Sequence, residues 1–177
     1  MKKLDYIKMN SRYYVETAEI DIQHQEIMNM INNFIVHCTG NKNEERHFFD
    51  RIMETLINYF GEHFSTEEKL LSGTAYEKYG EHKNEHDTVL EKLKTVMNDV
   101  KNNQRELDLY DLTDYIRGWA LNHILEYDKP AKECFKEGKK IHAERTGWNG
   151  INQFQLYITG PSGAPPPPAA LTFAALP

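Results

Sequence analysis

The chain of 177 residues contains few of the features that cross-link a protein or anchor it in a membrane. Its two cysteines, Cys38 and Cys134, are far apart and form no C-x-x-C pattern, which excludes a disulfide framework and a zinc ribbon. We expect them to be buried or half-buried free thiols. No long uncharged apolar run is present, and the N-terminal Met-Lys-Lys is not followed by an apolar stretch. The sequence therefore predicts a cytoplasmic protein that does not associate with membranes.

An excess of basic residues is also missing. The formal net charge is −6 and the isoelectric point lies near 5.8, with no basic stripe that could contact phosphates. This composition argues against nucleic acid as a partner. At 177 residues and 40% apolar composition, the chain is long enough to bury a core of its own without disulfides.

Charged side chains are absent from residues 146–177, and six of the seven prolines lie between Pro161 and Pro177. We therefore predict a domain over residues 1–145 and an irregular, Pro-rich, disordered tail over residues 146–177. Within the tail, the four prolines at 165–168 predict a stiff polyproline II spacer, which is followed by a short apolar segment at 171–176.

Apolar residues recur at intervals of three and four along four stretches, which is the period of amphipathic helices. After a predicted N-terminal arm at residues 1–18, these stretches cover approximately residues 19–38, 44–71, 75–101 and 108–135. Short polar connections separate them. The predicted fold class is all-α, an up-down-up-down four-helix bundle with an N-terminal arm and a C-terminal tail.

Histidines and carboxylates occupy the apolar faces of all four predicted helices. The seven candidate metal ligands are His24, His63, Glu67, His82, His86, His123 and Asp128. Imidazole and carboxylate donors suit iron, copper, zinc or manganese. Seven protein ligands are more than one metal ion can bind if it also keeps an open coordination position. The pattern therefore predicts a site for two metal ions. The remaining histidines, His37, His47 and His142, are predicted to be surface or capping residues.

The ligand spacings fit helices with one exception. The His63/Glu67 and His82/His86 pairs are four residues apart, so each pair projects from one helix face. His123 and Asp128 are five apart, which places them about 140° from each other on an ideal helix. The sequence therefore predicts a distorted turn there, and Pro130 provides a cause because its ring removes a backbone hydrogen bond.

Two other metal motifs can be compared with this pattern. Residues 82–86 match the H-x-x-E-H signature of inverted zinc peptidases, with Glu85 as the general base, but that assignment uses only two of the seven residues. A ferritin-like carboxylate site needs two Glu-x-x-His motifs, whereas only Glu44-x-x-His47 occurs.

The set of motifs resembles that of the hemerythrin family, and of bacterial single-domain hemerythrins in particular. The similarity covers approximately residues 9–140 and rests on four segments: Ile20-Asp21-Ile22-Gln23-His24, residues 63–68, His82-Lys83-Asn84-Glu85-His86 and residues 119–128. The resemblance implies a non-heme, oxo- or hydroxo-bridged di-iron centre that binds dioxygen. It also implies that His82, His86 and His123 hold one iron, that His24 and His63 hold the other, and that Glu67 and Asp128 bridge them.

The resemblance further implies an apolar dioxygen pocket next to the iron that has only two histidine ligands. Its residues here are Ile27, Phe64, Trp119, Ala120 and Ile124. Ala120 is smaller than the leucine usual in the family, from which we predict faster autoxidation. Three further departures lie away from the ligands, with Met9, Glu16 and Glu77 replacing the family's usual tryptophan, glycine and proline.

Several functions are compatible with such a site. The leading hypothesis is a non-enzymatic protein that stores, delivers or senses dioxygen. The alternatives are a di-iron enzyme that consumes peroxide, NO or dioxygen, and a helical adaptor that has lost iron, which the complete ligand set argues against. The tail also suggests a docking peptide for an encapsulin shell, because some hemerythrin-like proteins are cargo of such shells.

Overall fold

The computed structural model describes residues 4–146, with side chains as far as Glu144. The chain up to Ile141 forms one compact unit, and a second unit begins at His142, of which only the end of the last helix is described. The predicted polyproline spacer and docking peptide lie outside the described residues. The domain boundary at residue 145 stays a prediction.

The described residues form helices and no strands. In chain order these are α1 (Ala18–His37), α2 (Lys42–Leu71), α3 (Tyr79–Lys101), α4 (Leu109–His123), a π-helical segment (Ile124–Asp128) and α5 (Lys129–Thr146). Helix α2 packs on α1 and α3, and α1 also packs on α4. The predicted all-α, four-helix bundle is confirmed.

Helix ends differ from the predictions where polar side chains and turns bind the backbone. The Asn41 side chain accepts hydrogen bonds from the amides of Asn43 and Glu44, so α2 begins at Lys42. Helix α3 begins at Tyr79 rather than near Ala75, because the preceding residues form turns that follow Leu71. The fourth predicted helix is longer than expected, since α5 continues past Phe135 to Thr146.

The bundle core consists of apolar side chains from all four helices. Phe34, Phe49, Leu56, Phe60, Leu93 and Ile116 belong to its largest cluster, and each is at most 1% exposed. A second, smaller cluster joins the start of α1 to the end of α2 and to α5 through Val15, Ile20, Leu70, Leu71, Ala131 and Phe135. Gly138 belongs to this contact, because a Cβ atom there would overlap the Leu70 carbonyl group.

The N-terminal arm runs along the bundle without helical structure until α1 begins. Ile7 exchanges two backbone hydrogen bonds of 2.8 Å with the Asn32 side chain, and the Lys129 ammonium group donates to the carbonyl oxygens of Ser11 and Arg12. Glu16, which replaces the glycine usual in the resembled family, has a φ angle of 60°, in the left-handed region that favours glycine. No helix within residues 4–146 has both the length and the apolarity needed to cross a membrane.

Candidate metal centre

All seven predicted ligand side chains meet inside the bundle. His24 comes from α1, His63 and Glu67 from α2, and His82 and His86 from α3. His123 is the last residue of α4, and Asp128 is the last residue of the π-helical segment. None of the seven is more than 3% exposed. Helical spacing explains the pairs on α2 and α3, because residues four apart project from one face.

The π-helical segment explains how His123 and Asp128 face the same site. The Lys129 amide donates to the Ile124 carbonyl, five residues back, which is the hydrogen-bond pattern of a π-helix. His123 Nε2 consequently lies 3.1 Å from Asp128 Oδ1. The distortion predicted from the spacing is therefore present as a widened turn, after which the helical structure continues as α5.

The donor atoms form two overlapping groups, in each of which all the atoms lie within 4.8 Å of one another. The first group contains Glu67, His82, His86 and His123, and the second contains His24, His63, Glu67 and Asp128. Glu67 belongs to both groups. The described residues therefore offer two adjacent sets of four donors each, with a shared carboxylate.

Both carboxylates direct one oxygen to each half of the site. Glu67 Oε1 lies 3.6 Å from His24 Nε2 and 3.4 Å from His63 Nε2, whereas its Oε2 lies 3.4 Å from His82 Nε2 and 3.2 Å from His86 Nε2. Asp128 repeats this arrangement.

In Asp128, Oδ2 lies 3.1 Å from His24 Nε2, and Oδ1 lies 3.1 Å from both His82 Nε2 and His123 Nε2. A carboxylate oriented in this way can bridge two cations.

Several of these atoms lack hydrogen-bond partners within the described part of the chain. Both oxygens of Glu67, both oxygens of Asp128 and both ring nitrogens of His24 are buried without one. Burying polar or charged atoms without partners is costly, and metal coordination removes that cost. The donor set therefore fits a pair of cations that take nitrogen and oxygen ligands.

The electrostatics of the metal-free site depend on ion pairs within it. Burial lowers the pKa of His24, but the adjacent Asp128 and Glu67 carboxylates outweigh burial and raise it to about 9. Burial also lowers the pKa of His123, but the nearby Asp128 carboxylate outweighs burial and raises this pKa to about 10. Burial lowers the pKa of His63 to about 4. Despite burial, the surrounding histidines hold the pKa values of Glu67 and Asp128 well below their ordinary values.

Two further side chains bind the outer faces of ligand histidines, and sequence reasoning did not assign them a role. Gln23 Oε1 lies 3.1 Å from His63 Nδ1, and Glu68 Oε1 lies 3.1 Å from His86 Nδ1. In the sequence, Gln23 directly precedes the candidate ligand His24, and Glu68 directly follows the candidate ligand Glu67. A position next to a ligand in the sequence could not identify these partners, because Gln23 and Glu68 each bind a histidine that lies on another helix.

The five predicted pocket residues lie in or against the bundle core, and two of them contact ligand histidines. Ile27, Phe64, Ala120 and Ile124 are buried, at no more than 4% exposure, and Trp119 is half-buried. Phe64 stacks on His86 with ring centroids 3.9 Å apart, and Trp119 stacks on His123 at 4.6 Å. Their role in dioxygen binding stays a prediction.

The other histidines and both cysteines lie outside the two donor groups. His47 is exposed, and His37 ends α1 with its ring stacked on Phe48. Cys38 and Cys134 are half-buried free thiols, as predicted. Glu85, the base of the alternative peptidase motif, is also absent from both groups, whereas His82 and His86 share theirs with Glu67 and His123.

A helical bundle with two adjacent, buried donor sets of histidine and carboxylate defines the chain as a metal-binding four-helix protein. The hemerythrin HHE cation binding domain matches residues 15–131, and the chain therefore belongs to the hemerythrin family. Hemerythrins bind a non-heme di-iron centre, and they are oxygen-binding proteins rather than enzymes.

Individual relatives agree with this assignment. The chain is 30% identical over 115 residues to a bacteriohemerythrin of Methylococcus capsulatus, covering 64% of this chain and 84% of that protein. It is 33% identical over 86 residues to a bacteriohemerythrin of Clostridium acetobutylicum, which covers 46% of this chain and 65% of the relative. A solved wild-type hemerythrin superimposes with a TM-score of 0.65 at 26% identity, covering 74% of this chain and 98% of that one.

Proposed function

We propose that this protein binds dioxygen reversibly at a di-iron centre and so stores, delivers or senses it. The orientation of the two carboxylates carries the proposal, because Glu67 and Asp128 each direct one oxygen to either half of the site. We assign His82, His86 and His123 to one iron, His24 and His63 to the other, and both carboxylates to the pair.

The iron pair, when bound in the ferrous state, supplies the two electrons that dioxygen takes up and returns. The chain's own residues hold the ions and keep water away from them. We assign the second task to Ile27, Phe64, Ala120, Ile124 and Trp119, because a dry apolar pocket limits the proton and water access that would make oxidation irreversible.

The test is to reduce the iron-loaded protein without air, add dioxygen and then remove it under argon. We expect a visible absorption band that appears with dioxygen, disappears under argon and returns over repeated cycles. Steady-state consumption of dioxygen, hydrogen peroxide or NO by the reduced protein would instead favour the enzyme class. A protein that is bleached irreversibly in the first cycle would contradict reversible binding.

Two predictions made from the sequence remain outside this proposal. None of the comparisons supports an encapsulin shell as a partner, and the segment on which that prediction rests lies beyond the described residues. The cytoplasmic location stays a prediction.

A further inference from the structure

The five candidate ligand histidines differ in what holds the outer nitrogen of each ring. Every Nε2 atom is directed toward a carboxylate of the site. The outer Nδ1 atoms of His24, His82 and His123 are buried without a hydrogen-bond partner among residues 4–146. Within the described part of the chain, only His63 and His86 have a side-chain partner at Nδ1, and the two partners differ in charge.

The His86 ring is held by an anion. Its Nδ1 lies 3.1 Å from Glu68 Oε1, and the other oxygen of that carboxylate lies 3.2 Å from the Lys83 ammonium group. Phe64 stacks against the His86 ring at 3.9 Å with an interplanar angle of 2°. Glu68 and Phe64 lie on α2 and His86 lies on α3, so the contact fixes the ring across two helices.

The His63 ring is held by a neutral amide, and the surrounding hydrogen bonds determine which end of that amide faces it. The Thr66 hydroxyl donates to the Glu62 carbonyl at 2.9 Å, and it therefore accepts from Gln23 Nε2 at 3.2 Å. The carbonyl oxygen of Gln23 is left to accept from His63 Nδ1 at 3.1 Å.

The two held histidines belong to different donor groups. His86 lies in the group with His82 and His123, whereas His63 lies in the group with His24 and Asp128. A carboxylate that accepts from the outer nitrogen of a ligand histidine makes that ring a stronger donor, and a neutral amide does so to a smaller extent. The charge of Glu68 also compensates a cation in its own half of the site more strongly than a cation in the other half.

We propose that Glu68 and Gln23 are positioning residues that make the two metal positions unequal. The half held by Glu68 takes up the first divalent cation more tightly, and the half held by Gln23 takes up the second more weakly. This inference rests on the proposed di-iron site. It adds that an exchangeable pair of residues outside the ligand set increases the difference that the three-to-two division of the histidines already produces.

The experiment titrates the metal-free full-length protein with Co²⁺ and follows heat and the visible cobalt spectrum. Two successive ions are expected to bind with separate association constants. Glu68→Gln should lower the tighter association constant by about tenfold and leave the weaker one unchanged. It should also alter the visible spectrum of the first Co²⁺ equivalent. Gln23→Glu should raise the weaker constant by about tenfold and leave the tighter one in place.

Lys83→Gln is the matched control for the charge change at the surface. It removes the ion pair with Glu68 but leaves the contact between Glu68 and His86, so the tighter constant should not fall and the weaker one should be unchanged. The two informative variants lie on different helices, which keeps the test valid if one of them folds poorly. The double exchange of Glu68→Gln with Gln23→Glu should reduce the ratio of the two constants by about a hundredfold, the product of the two single effects.

The possible failures are distinguishable. If the wild-type protein binds fewer than two Co²⁺ ions, the proposed di-metal site is wrong. If it binds two and both exchanges leave the ratio of the constants unchanged, the site stands and the inference about Glu68 and Gln23 is overturned. An equal loss in both constants for Glu68→Gln would also overturn it, because a general structural effect would produce that result.

Discussion

His123 and Asp128 approach within 3.1 Å across one π-helical turn, between imidazole Nε2 and carboxylate Oδ1. On a regular α-helix, residues five apart would be separated by about 140° around the axis. The i→i+5 hydrogen bond from Lys129 to Ile124 widens the turn and brings both side chains to the same face. A local departure from α-helical geometry thus completes the donor set.

Replacing Pro130 with alanine tests the origin of this turn. The new amide could donate to the Glu126 carbonyl, which favours an α-helical register and turns Asp128 away from the site. We expect Pro130→Ala to lower the affinity for ferrous iron by about tenfold without lowering the thermal midpoint of the metal-free protein. Pro130 is exposed, so the change removes no buried packing. Unchanged affinity, measured by anaerobic titration, would show that Pro130 does not maintain the turn.

The shared carboxylate predicts different iron contents for two ligand variants. His63 belongs to one donor group and Glu67 to both, so His63→Ala should retain about one iron per chain, whereas Glu67→Gln should retain less than one. Iron is counted after anaerobic loading and desalting. His47→Ala serves as the control, because His47 is exposed and outside both groups, and it should retain both ions. Equal losses in His63→Ala and Glu67→Gln would contradict the division into two halves.

Metal binding should release protons at neutral pH. In the metal-free protein, the pKa values of His24 and His123 are raised from 6.5 to about 9 and about 10, so both rings carry protons that a metal must displace. The apparent metal affinity should therefore rise between pH 6.5 and 9, and matched titrations in buffers of different ionisation enthalpy measure the protons released. A pH-independent affinity would contradict protonation of these two rings.

The same pKa values predict how the stability of the metal-free protein depends on pH. A folded-state pKa above the unfolded value of 6.5 contributes stability that is fully present below pH 6.5 and is lost as pH rises through about 9 to 10. The thermal midpoint of the metal-free protein should accordingly fall across this interval. A constant midpoint between pH 6.5 and 10 would be inconsistent with these ion pairs.

Ala120 gives a prediction about the lifetime of the oxygenated protein. Its side chain is 4% exposed and smaller than the leucine usual in the family, from which we predict easier access of solvent to the site. We expect Ala120→Leu to slow autoxidation by about tenfold, which corresponds to about 1.4 kcal/mol in the barrier. Ala18→Leu adds the same volume at an exposed position and should have no effect. Decay of the visible band in air measures the rate, and equal rates would show that Ala120 is not a route for solvent.

The fold and the candidate ligands were accessible from the sequence because both follow from helical periodicity. Apolar residues at intervals of three and four predicted the bundle, and the His63/Glu67 and His82/His86 pairs followed the same spacing on its inner faces. The five-residue interval between His123 and Asp128 predicted a distortion for the same reason. Its form, a π-helical turn within a continuing helix, depends on packing that local sequence does not encode.

Other features depended on contacts between distant residues. Glu68 reaches His86 from another helix, and Gln23 faces His63 through an amide whose orientation is set by Thr66. The start of α3 at Tyr79 likewise depends on turns after α2 that compete with helix formation. Residue type and spacing along the chain identify candidate ligands, but they do not identify which neighbour orients each of them.

The most direct test of the central claim is the number of iron ions that the full-length protein retains after anaerobic loading with ferrous salt and removal of free metal. Two irons per chain, together with a colour that appears in dioxygen and fades under argon, are predicted. One iron or none per chain, in a protein that stays folded and colourless in dioxygen, would contradict the assignment of the seven buried side chains to a di-iron centre.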